Sequence, residues 1–280
     1  MRAAAVQLTS TADKAANLDT ASRLVADAAA AGAVLVVLPE MFNCLGTGAE
    51  LAAGAEPLEG PTARWAAEQA REHGVTLVAG TFVEAGAGGD PASRRRNTCT
   101  VWGPDGTRLA VYRKVHLFDV TVPGAEYEES SVIEPGEDVV VAATPAGPVG
   151  LSVCYDVRFP ELYRIAALQG ATIVTVPAAF TARTGPPHWE VLLRARAIEN
   201  QVFVVAAAQV GSSNEKLHWH GHSMIIDPWG TVLAEAAGSA DDAGGRGEVI
   251  VADLDGGEQE RVRAVLPSLA NRRPSAYRWP

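Results

Sequence analysis

The sequence predicts an α/β fold with a mixed sheet or sheets. Apolar runs of strand length alternate with segments of helical periodicity along most of the chain. Several of the apolar runs are continuous rather than alternating, which is typical of strands covered on both faces. Two other segments reverse at "GPDG" and "DPWG", turns in which Pro fixes φ and Gly accepts a positive φ. We therefore expect antiparallel hairpins inserted among buried strands and helices.

The first half of the chain begins with a strand over residues 3–8, followed by an amphipathic helix that stops near Gly32. The run "AVLVVLPE" predicts a buried strand, and Pro61 opens a second helix. We interpret "VTLVAGTFV" as another buried strand and "NTCTVWGPDGTRLAVYRK" as a hairpin. Residues 117–139 are rich in Pro, Gly and Glu, so we expect a long functional loop there.

The second half repeats the same alternation. A helix is expected in "FPELYRIAALQG", another in "PHWEVLLRARAIENQ", and a short one over residues 258–265. The segment "HSMIIDPWGTVLAEA" predicts a second hairpin. Buried strands are expected in four runs: "VGLSVC", "TIVTVPAAF", "VFVVAAAQ" and "GEVIVADLD".

The composition indicates one large acidic domain. The chain has 280 residues, of which 48% are hydrophobic and 20% charged, enough apolar sequence for a sizeable core. We expect a single domain over residues 1–280, because only "GSADDAGGRG" has a linker-like composition. We interpret that stretch as a surface loop. The net charge of −10 argues against nucleic acid or an anionic membrane as the main partner.

Cysteine usage indicates a reducing compartment. The chain has three cysteines, an odd number without zinc-type spacing, which argues against a disulfide framework. The start "MRAAAVQLTS" lacks the apolar core and cleavage site of a signal peptide, and no run approaches the length of a membrane span. We therefore expect a cytoplasmic protein.

Three chemically distinct side chains follow predicted strands. Cys154 follows an apolar run, Glu40 follows "VLVVLP", and Lys114 ends a hairpin strand. Each has an ordinary interpretation, as a buried structural thiol, a surface carboxylate or a solvated ammonium. Ligand sites in α/β proteins gather at the carboxyl ends of strands, however. A thiol, a base and a cation together suit hydrolysis of a carbon–nitrogen bond.

The segments "LPEMFN", "YRKVHLFD" and "GLSVCYDVRFPEL" resemble, in this order, the signatures of the nitrilase or carbon–nitrogen hydrolase superfamily. The resemblance extends through "TGPPHWEVLLRARAIENQVFVVAAAQVG" and "GHSMIIDPWGTVLAE" to "NRRPSAYRW", and so covers nearly the whole chain. Within the superfamily the sequence is most similar to the Nit branch of amidases, which includes omega-amidase and deaminated-glutathione amidase. It is closer to the latter.

The resemblance implies a four-layer αββα sandwich and a Glu-Lys-Cys triad. Glu40 would be the general base, Lys114 the oxyanion stabiliser and Cys154 the nucleophile. The family's second glutamate, which orders the lysine, matches Glu129, with the neighbouring Glu128 as the alternative, and the backbone N–H of Tyr155 would be the second oxyanion donor. The implied activity is hydrolysis of the terminal amide of a small carboxylic acid through a thioester, without a cofactor. The resemblance also implies a homodimer or a higher homo-oligomer.

The charged residues behind Cys154 allow two interpretations. Arg158 could bind a substrate carboxylate, or Asp156, Arg158 and Glu161 could form an ion-pair network that braces the turn. We favour bracing, since charges crowded at one turn often pair with each other.

Further substrate-binding candidates lie at two other places in the chain. Phe42 and Asn43 open the segment 42–47, which we expect to shape the pocket together with the loop 118–131. Arg183 and Thr184 follow a strand, and His188 opens a helix for which a packing role is an equal alternative.

Several rival functions remain open on the sequence. The chain could be a nitrilase or N-carbamoyl hydrolase of the same superfamily, or a non-catalytic binding protein on this fold. A papain-like pairing of Cys154 with a histidine is the rival catalytic scheme. His218, His220 and His222 would share one face of a straight strand and could bind a transition metal, but we expect no metal there.

Overall fold

The computed structural model describes residues 1–86, 94–122, 125–239 and 247–278. The helices are α1 (Lys14–Ala30), α2 (Gly48–Ala53), α3 (Pro61–His73), α4 (Pro160–Leu168), α5 (Gly185–Asn200) and α6 (Gly256–Val265). Shorter 3₁₀ helices cover Glu129–Ser131, Cys154–Arg158 and Pro274–Ala276.

The strands of the first half are β1 (Arg2–Gln7), β2 (Leu35–Val37), β3 (Thr76–Val78), β4 (Phe82–Glu84), β5 (Arg96–Trp102), β6 (Arg108–Arg113), β7 (Asp119–Val122) and β8 (Ala125–Glu128). Those of the second half are β9 (Val141–Thr144), β10 (Gly147–Leu151), β11 (Ile173–Ala178), β12 (Phe203–Ala208), β13 (Val210–Ser212), β14 (His218–His220), β15 (Met224–Ile226), β16 (Val232–Glu235) and β17 (Glu248–Asp253).

In the described part of the chain, two large mixed sheets dominate. The first sheet has the order β17-β1-β2-β3-β5-β6, with β4 pairing with β5 beyond the end of β3. The second sheet has the order β16-β15-β12-β11-β10-β9. The centre of each sheet is parallel, β1-β2-β3 in the first and β10-β11-β12 in the second, and the remaining strands pair antiparallel. The prediction of mixed sheets with inserted hairpins is confirmed.

The sheets form the two middle layers of the molecule. Along β1, Ala3 and Ala5 belong to the apolar core shared with the second sheet, whereas Ala4 and Val6 pack in the core beneath α1 and α3. On the other side of the molecule, α4 packs against β10 and α5 against β12. Successive strand residues point to opposite faces, so both faces of the central strands must be apolar. This requirement explains the continuous apolar runs and gives the αββα order of layers.

Two predicted elements differ from the structure. The run "VTLVAGTFV" forms two short strands, β3 and β4, because the extended conformation is interrupted at Gly80, where φ is +45°. The segment 117–139 is not irregular throughout, because β7 and β8 pair as a small hairpin followed by a 3₁₀ turn. Most of the predicted loop "GSADDAGGRG" lies outside the described residues.

The turn at Gly80 packs against the chain that leaves the carboxyl end of β2. A Cβ built on Gly80 would lie 1.9 Å from the carbonyl oxygen of Pro39, so the two backbones touch at this point. Glu40, the next residue, therefore leaves β2 along a path that the first sheet fixes. Within the described ranges, no helix is both long and apolar enough to cross a membrane.

We expect Gly80→Ala to lower the free energy of unfolding by about 3 kcal/mol, since it combines a positive φ with a backbone clash. Gly74 is the matched control, because its φ is +62° and a Cβ there meets nothing within 4 Å. Gly74→Ala should cost only about 1 kcal/mol, the steric penalty of a left-handed residue. Urea denaturation measures both, and equal losses would contradict a special constraint at Gly80.

Candidate active site

Glu40 is held by both sheets. Its carboxylate accepts hydrogen bonds from Lys114 Nζ at 3.0 Å and Asn97 Nδ2 at 2.8 Å, both in the first sheet's hairpin. Its other oxygen accepts the backbone N–H of Ala179, which follows β11 of the second sheet, at 2.8 Å. Glu40 is only 4% exposed. The carboxylate therefore lies in the junction between the sheets, with its direction fixed by three donors.

Lys114 is the centre of a buried charge cluster. Its side chain is 2% exposed, and its ammonium donates to Glu40 Oε1 and, at 2.8 Å, to Glu129 Oε2. Glu129 also accepts the backbone N–H of Phe118 at 2.7 Å. Its neighbour Glu128 is exposed. The structure thus places Glu129, rather than Glu128, beside the lysine.

Asn97 joins the two glutamates. Its amide nitrogen donates to Glu40 Oε1 at 2.8 Å and to Glu129 Oε1 at 3.2 Å. We did not single out this residue from the sequence. One signal was present, because asparagine is disfavoured in strands and Asn97 lies in β5, where it is buried.

Cys154 occupies a sharp turn between β10 and α4. Its φ is +47°, a conformation that costs a residue with a Cβ about 1 kcal/mol and that must be enforced by its surroundings. The residue opens the 3₁₀ helix Cys154–Arg158. Backbone N–H groups in the first turn of a helix lack intrahelical acceptors, and Tyr155 supplies one of them. The turn therefore presents a thiol beside an N–H donor.

Asp156 braces this turn from beneath. The fully buried carboxylate accepts the backbone N–H of Val153 at 2.8 Å and the Tyr112 hydroxyl at 2.6 Å. It also accepts the backbone N–H of His116 at 3.0 Å and lies 2.7 Å from that residue's Nδ1. The predicted bracing role of Asp156 agrees with these contacts, but its partners are a phenol, a histidine and backbone groups rather than an arginine.

Arg158 and Glu161 do not belong to an ion-pair network with Asp156. The Arg158 guanidinium lies over the rings of Tyr155 and Phe180, at 5.7 and 5.3 Å from their centroids, and 3.3 Å from His188 Nδ1. Glu161 is exposed at the start of α4 and has no ion pair among the described residues. That part of the prediction is wrong, because α4 carries Glu161 away from the turn.

Burial, together with the Glu40 carboxylate, opposes ionisation of the Cys154 thiol. Burial and the nearby Glu40 carboxylate raise the pKa of Cys154 well above its usual range, and Lys114 only partly offsets them. Burial would lower the pKa of Lys114, but Glu129 and Glu40 outweigh it and raise that pKa well above its usual value. The resting arrangement is therefore a neutral thiol beside a charged ammonium.

A cavity of about 350 Å³ opens onto these groups. Glu40, Lys114 and Cys154 line it, and so do residues of the 118–131 segment, including Phe118 and Tyr127. The expectation that this segment shapes the pocket is confirmed. None of the described residues that line the cavity is a histidine, so the structure offers Cys154 no papain-like partner there.

Two predicted substrate-binding residues lie in the protein interior instead. Phe42 is fully buried, with its ring 5.2 Å from that of Trp65 in the core beneath α3. Asn43 is 1% exposed and donates to Thr62 Oγ1 at 2.9 Å. Neither lines the cavity, and the pocket is formed instead by the residues around them, Met41 and Leu45. Met41 has a φ of +54°, which turns the chain at this point.

The substrate-binding candidates near α5 also differ in their position relative to the cavity. Thr184 lines the cavity, whereas the adjacent Arg183 is exposed and lies outside its lining. His188 is exposed on the first turn of α5, where it contacts Arg158 rather than the cavity. Trp219 lines the cavity and donates from Nε1 to Ser213 Oγ at 2.7 Å.

The three histidines do not share a strand face. Strand β14 ends at His220, and the chain then turns through Gly221 and His222, whose φ values are +72° and +56°. His218 Nδ1 lies 2.6 Å from Ser212 Oγ, while His222 Nδ1 lies 2.7 Å from Glu235 Oε1. Burial, together with the neighbouring His222, lowers the pKa of His220 to about 4. The described residues contain no group of three or more His, Cys, Asp or Glu suited to a metal ion.

The fold and the cavity together define a sandwich hydrolase with a thiol, a carboxylate and an ammonium in one site. The family model for carbon–nitrogen hydrolase matches residues 2–264. The chain is 45% identical over 273 residues to a deaminated glutathione amidase of Synechocystis sp., covering 96% of this chain and 97% of that one. It is 40% identical over 278 residues to an omega-amidase of Danio rerio, covering 99% and 96%.

The structural comparison agrees with this. The crystal structure of the C. elegans NitFhit protein is similar with a TM-score of 0.89 and 36% sequence identity, covering 99% of this chain and 66% of that one. The chain belongs to the carbon–nitrogen hydrolase family, and the resemblance inferred from its motifs is confirmed. It is a hydrolase that acts on carbon–nitrogen bonds other than peptide bonds.

We expect Asp156→Ala to lower the free energy of unfolding by about 3 kcal/mol, because it leaves two backbone N–H groups and a phenol without their buried acceptor. Tyr112→Phe removes only one of these bonds and should cost about 1 kcal/mol. Denaturant unfolding of both variants checks the difference. If Asp156→Ala were as stable as the wild type, Asp156 would not brace the turn.

Proposed function

We propose that this chain is a cysteine amidase that hydrolyses the terminal amide of a small carboxylic acid to the acid and ammonia. One observation carries the proposal: Glu40, Lys114 and Cys154, from distant parts of the sequence, line one cavity. The names of the similar amidases support the choice of an amide substrate.

In the first half-reaction, Glu40 takes the proton of the Cys154 thiol as the sulfur attacks the amide carbonyl carbon. The C=O π bond becomes an oxyanion, which faces the Lys114 ammonium and the Tyr155 backbone N–H. Glu40 then returns the proton to the nitrogen, the C–N bond breaks, and ammonia leaves. The product of this step is a thioester on Cys154.

In the second half-reaction, Glu40 removes a proton from water, and the resulting hydroxide attacks the thioester carbonyl. The same two donors stabilise the second oxyanion. The C–S bond then breaks, the proton on Glu40 returns to sulfur, and the carboxylic acid leaves. Since one base serves both steps, its position must be fixed, and the Ala179 and Asn97 donors supply that fixation.

Glu129 is assigned a positioning role. It accepts hydrogen bonds from the Lys114 ammonium and from the Phe118 backbone N–H. Its second carboxylate oxygen shares Asn97 with Glu40. A lysine held by two carboxylates keeps its ammonium in one position, which lowers the cost of reorganisation in the transition state.

We also propose that residues 1–280 act as one domain in a cytoplasmic homodimer. Strand β1 near the start pairs with β17 near the end of the chain, which supports one folding unit. All three cysteines are unpaired thiols, as expected in a reducing compartment. Val191 and Ile198 on the outer side of α5 are 67% and 43% exposed, an apolar surface consistent with association through helices.

Ammonia release from purified protein tests the proposal. We expect turnover of deaminated glutathione, 2-oxoglutaramate or 2-oxosuccinamate above that of simple aliphatic amides, and Cys154→Ala should lower it by at least about 1,000-fold. The matched control is Cys44→Ala, which removes a buried thiol outside the site and should keep the activity.

Three outcomes would contradict the proposal. Ammonia release retained in Cys154→Ala would exclude the thioester route. Faster turnover of nitrile or N-carbamoyl analogues than of the amides would favour the other activities of the superfamily, and no turnover of any of them would favour a binding protein on this fold.

A further inference from the structure

Arg95 lines the same cavity as the catalytic groups but has no assigned part in the reaction. It is half-buried, immediately before β5. Its guanidinium makes no hydrogen bond or ion pair with any residue in the described ranges. Arginine is seldom left unpaired in a partly buried position, since its five donors lose water there. The position therefore suits a group that arrives with the substrate.

The strand alternation explains why Arg95 points to the cavity. Asn97 directs its side chain to Glu40 and Glu129, and residues two apart on an extended strand share a face. Arg95 therefore lies on the face of Asn97, about 7 Å farther along the chain. Arg96, between them, faces the other way and pairs with Glu134 at 2.9 Å.

The backbone of Arg95 is held in place. Its N–H donates to the Val132 carbonyl at 3.3 Å, and its carbonyl accepts the N–H of Glu134 at 2.7 Å. These bonds pair Arg95 with the adjacent segment, whose residues Val132 and Ile133 also line the cavity. A side chain on such an anchored segment is a suitable fixed receptor.

Charge on the cavity lining makes Arg95 distinctive. Among the described lining residues, the cations are Lys114 and Arg95, and Lys114 is already engaged by two carboxylates. Glu126 and Glu128 are exposed members of the same lining and would repel an anion. A substrate acid therefore needs one local cation that is not neutralised, and Arg95 meets that need.

We infer that Arg95 is the receptor for the carboxylate of the substrate, at the end remote from the scissile amide. The inference rests on the proposed amidase function and adds its specificity determinant. The ligand chemistry is a short carboxylate chain with a terminal amide a few bonds away. The guanidinium would bind the carboxylate through charge-assisted, bidentate hydrogen bonds.

The test compares an anionic and a neutral amide of equal length, 2-oxoglutaramate and pentanamide, in the wild type and in Arg95→Gln. We expect Arg95→Gln to lower kcat/KM for 2-oxoglutaramate by about 10- to 100-fold, mainly through KM, because the lost contact binds ground state and transition state alike. Pentanamide should change by less than about twofold, since it has no carboxylate to lose.

Two further variants separate recognition from structure. Arg95→Lys retains the charge without the planar fork and should recover part of the preference for the anion. Arg94→Gln removes an exposed cation from the neighbouring position and should leave both substrates unchanged. An equal loss on both substrates in Arg95→Gln would indicate a structural role and overturn the inference.

The remaining outcomes separate the two proposals. An unchanged ratio of the two substrates in Arg95→Gln, with an active wild type, would overturn the receptor but leave the amidase intact. A preference of the wild type for the neutral amide would also overturn it, because the acidic rim would then dominate. No ammonia from either amide in the wild type would instead contradict the proposed function.

Discussion

The site depends on one buried ammonium shared by two carboxylates. Lys114 lies between Glu40 and Glu129, and all three side chains are largely removed from water. Burying such charges costs several kcal/mol per ion unless partners replace the lost water, so removal of any member would leave an uncompensated charge. The donors of Ala179, Asn97 and Phe118 complete the solvation of the carboxylates. The cluster therefore contributes more to fixing the positions of these side chains than to the stability of the fold.

The position of the catalytic base in this cluster depends on both sheets of the fold. Glu40 follows β2 of the first sheet but accepts from Ala179 after β11 of the second, so the distance between the sheets sets the direction of the base. Gly80 fixes the path of Pro39 from one side, and Asp156 fixes the Cys154 turn from the other. A continuous apolar core between the sheets is thus a condition for catalytic geometry, as well as for stability.

Periodicity predicted the central strands, the helices other than α2 and both inserted hairpins, because strands buried on two faces are continuously apolar in the sequence. It missed α2 and the β7–β8 hairpin and treated β3 and β4 as one strand. The motif resemblance brought Glu40, Lys114, Cys154 and Glu129 together, which spacing alone could not do across more than a hundred residues. Contacts that depend on backbone groups, such as the Ala179 N–H, leave no side-chain signal. Phe42 was predicted to bind substrate, but its ring packs against Trp65 in the core, whereas the preceding Met41, which has a positive φ, lines the cavity. Neighbouring residues at a turn face different ways, which residue type alone does not reveal.

Burial and the net negative charge of the cluster keep Cys154 neutral until Glu40 removes its proton. The cluster already holds two carboxylates and one ammonium, so a thiolate would add a second net negative charge in a buried site. The direct measurement is a pH titration of thiolate ultraviolet absorbance, taken as wild type minus Cys154→Ala. A thiol is protonated below its pKa, and burial with Glu40 raises the pKa of Cys154, so no thiolate signal should be present at neutral pH. The same titration in Glu40→Gln should shift to lower pH, because one raising charge is gone. A full thiolate signal at neutral pH in the wild type would contradict the account.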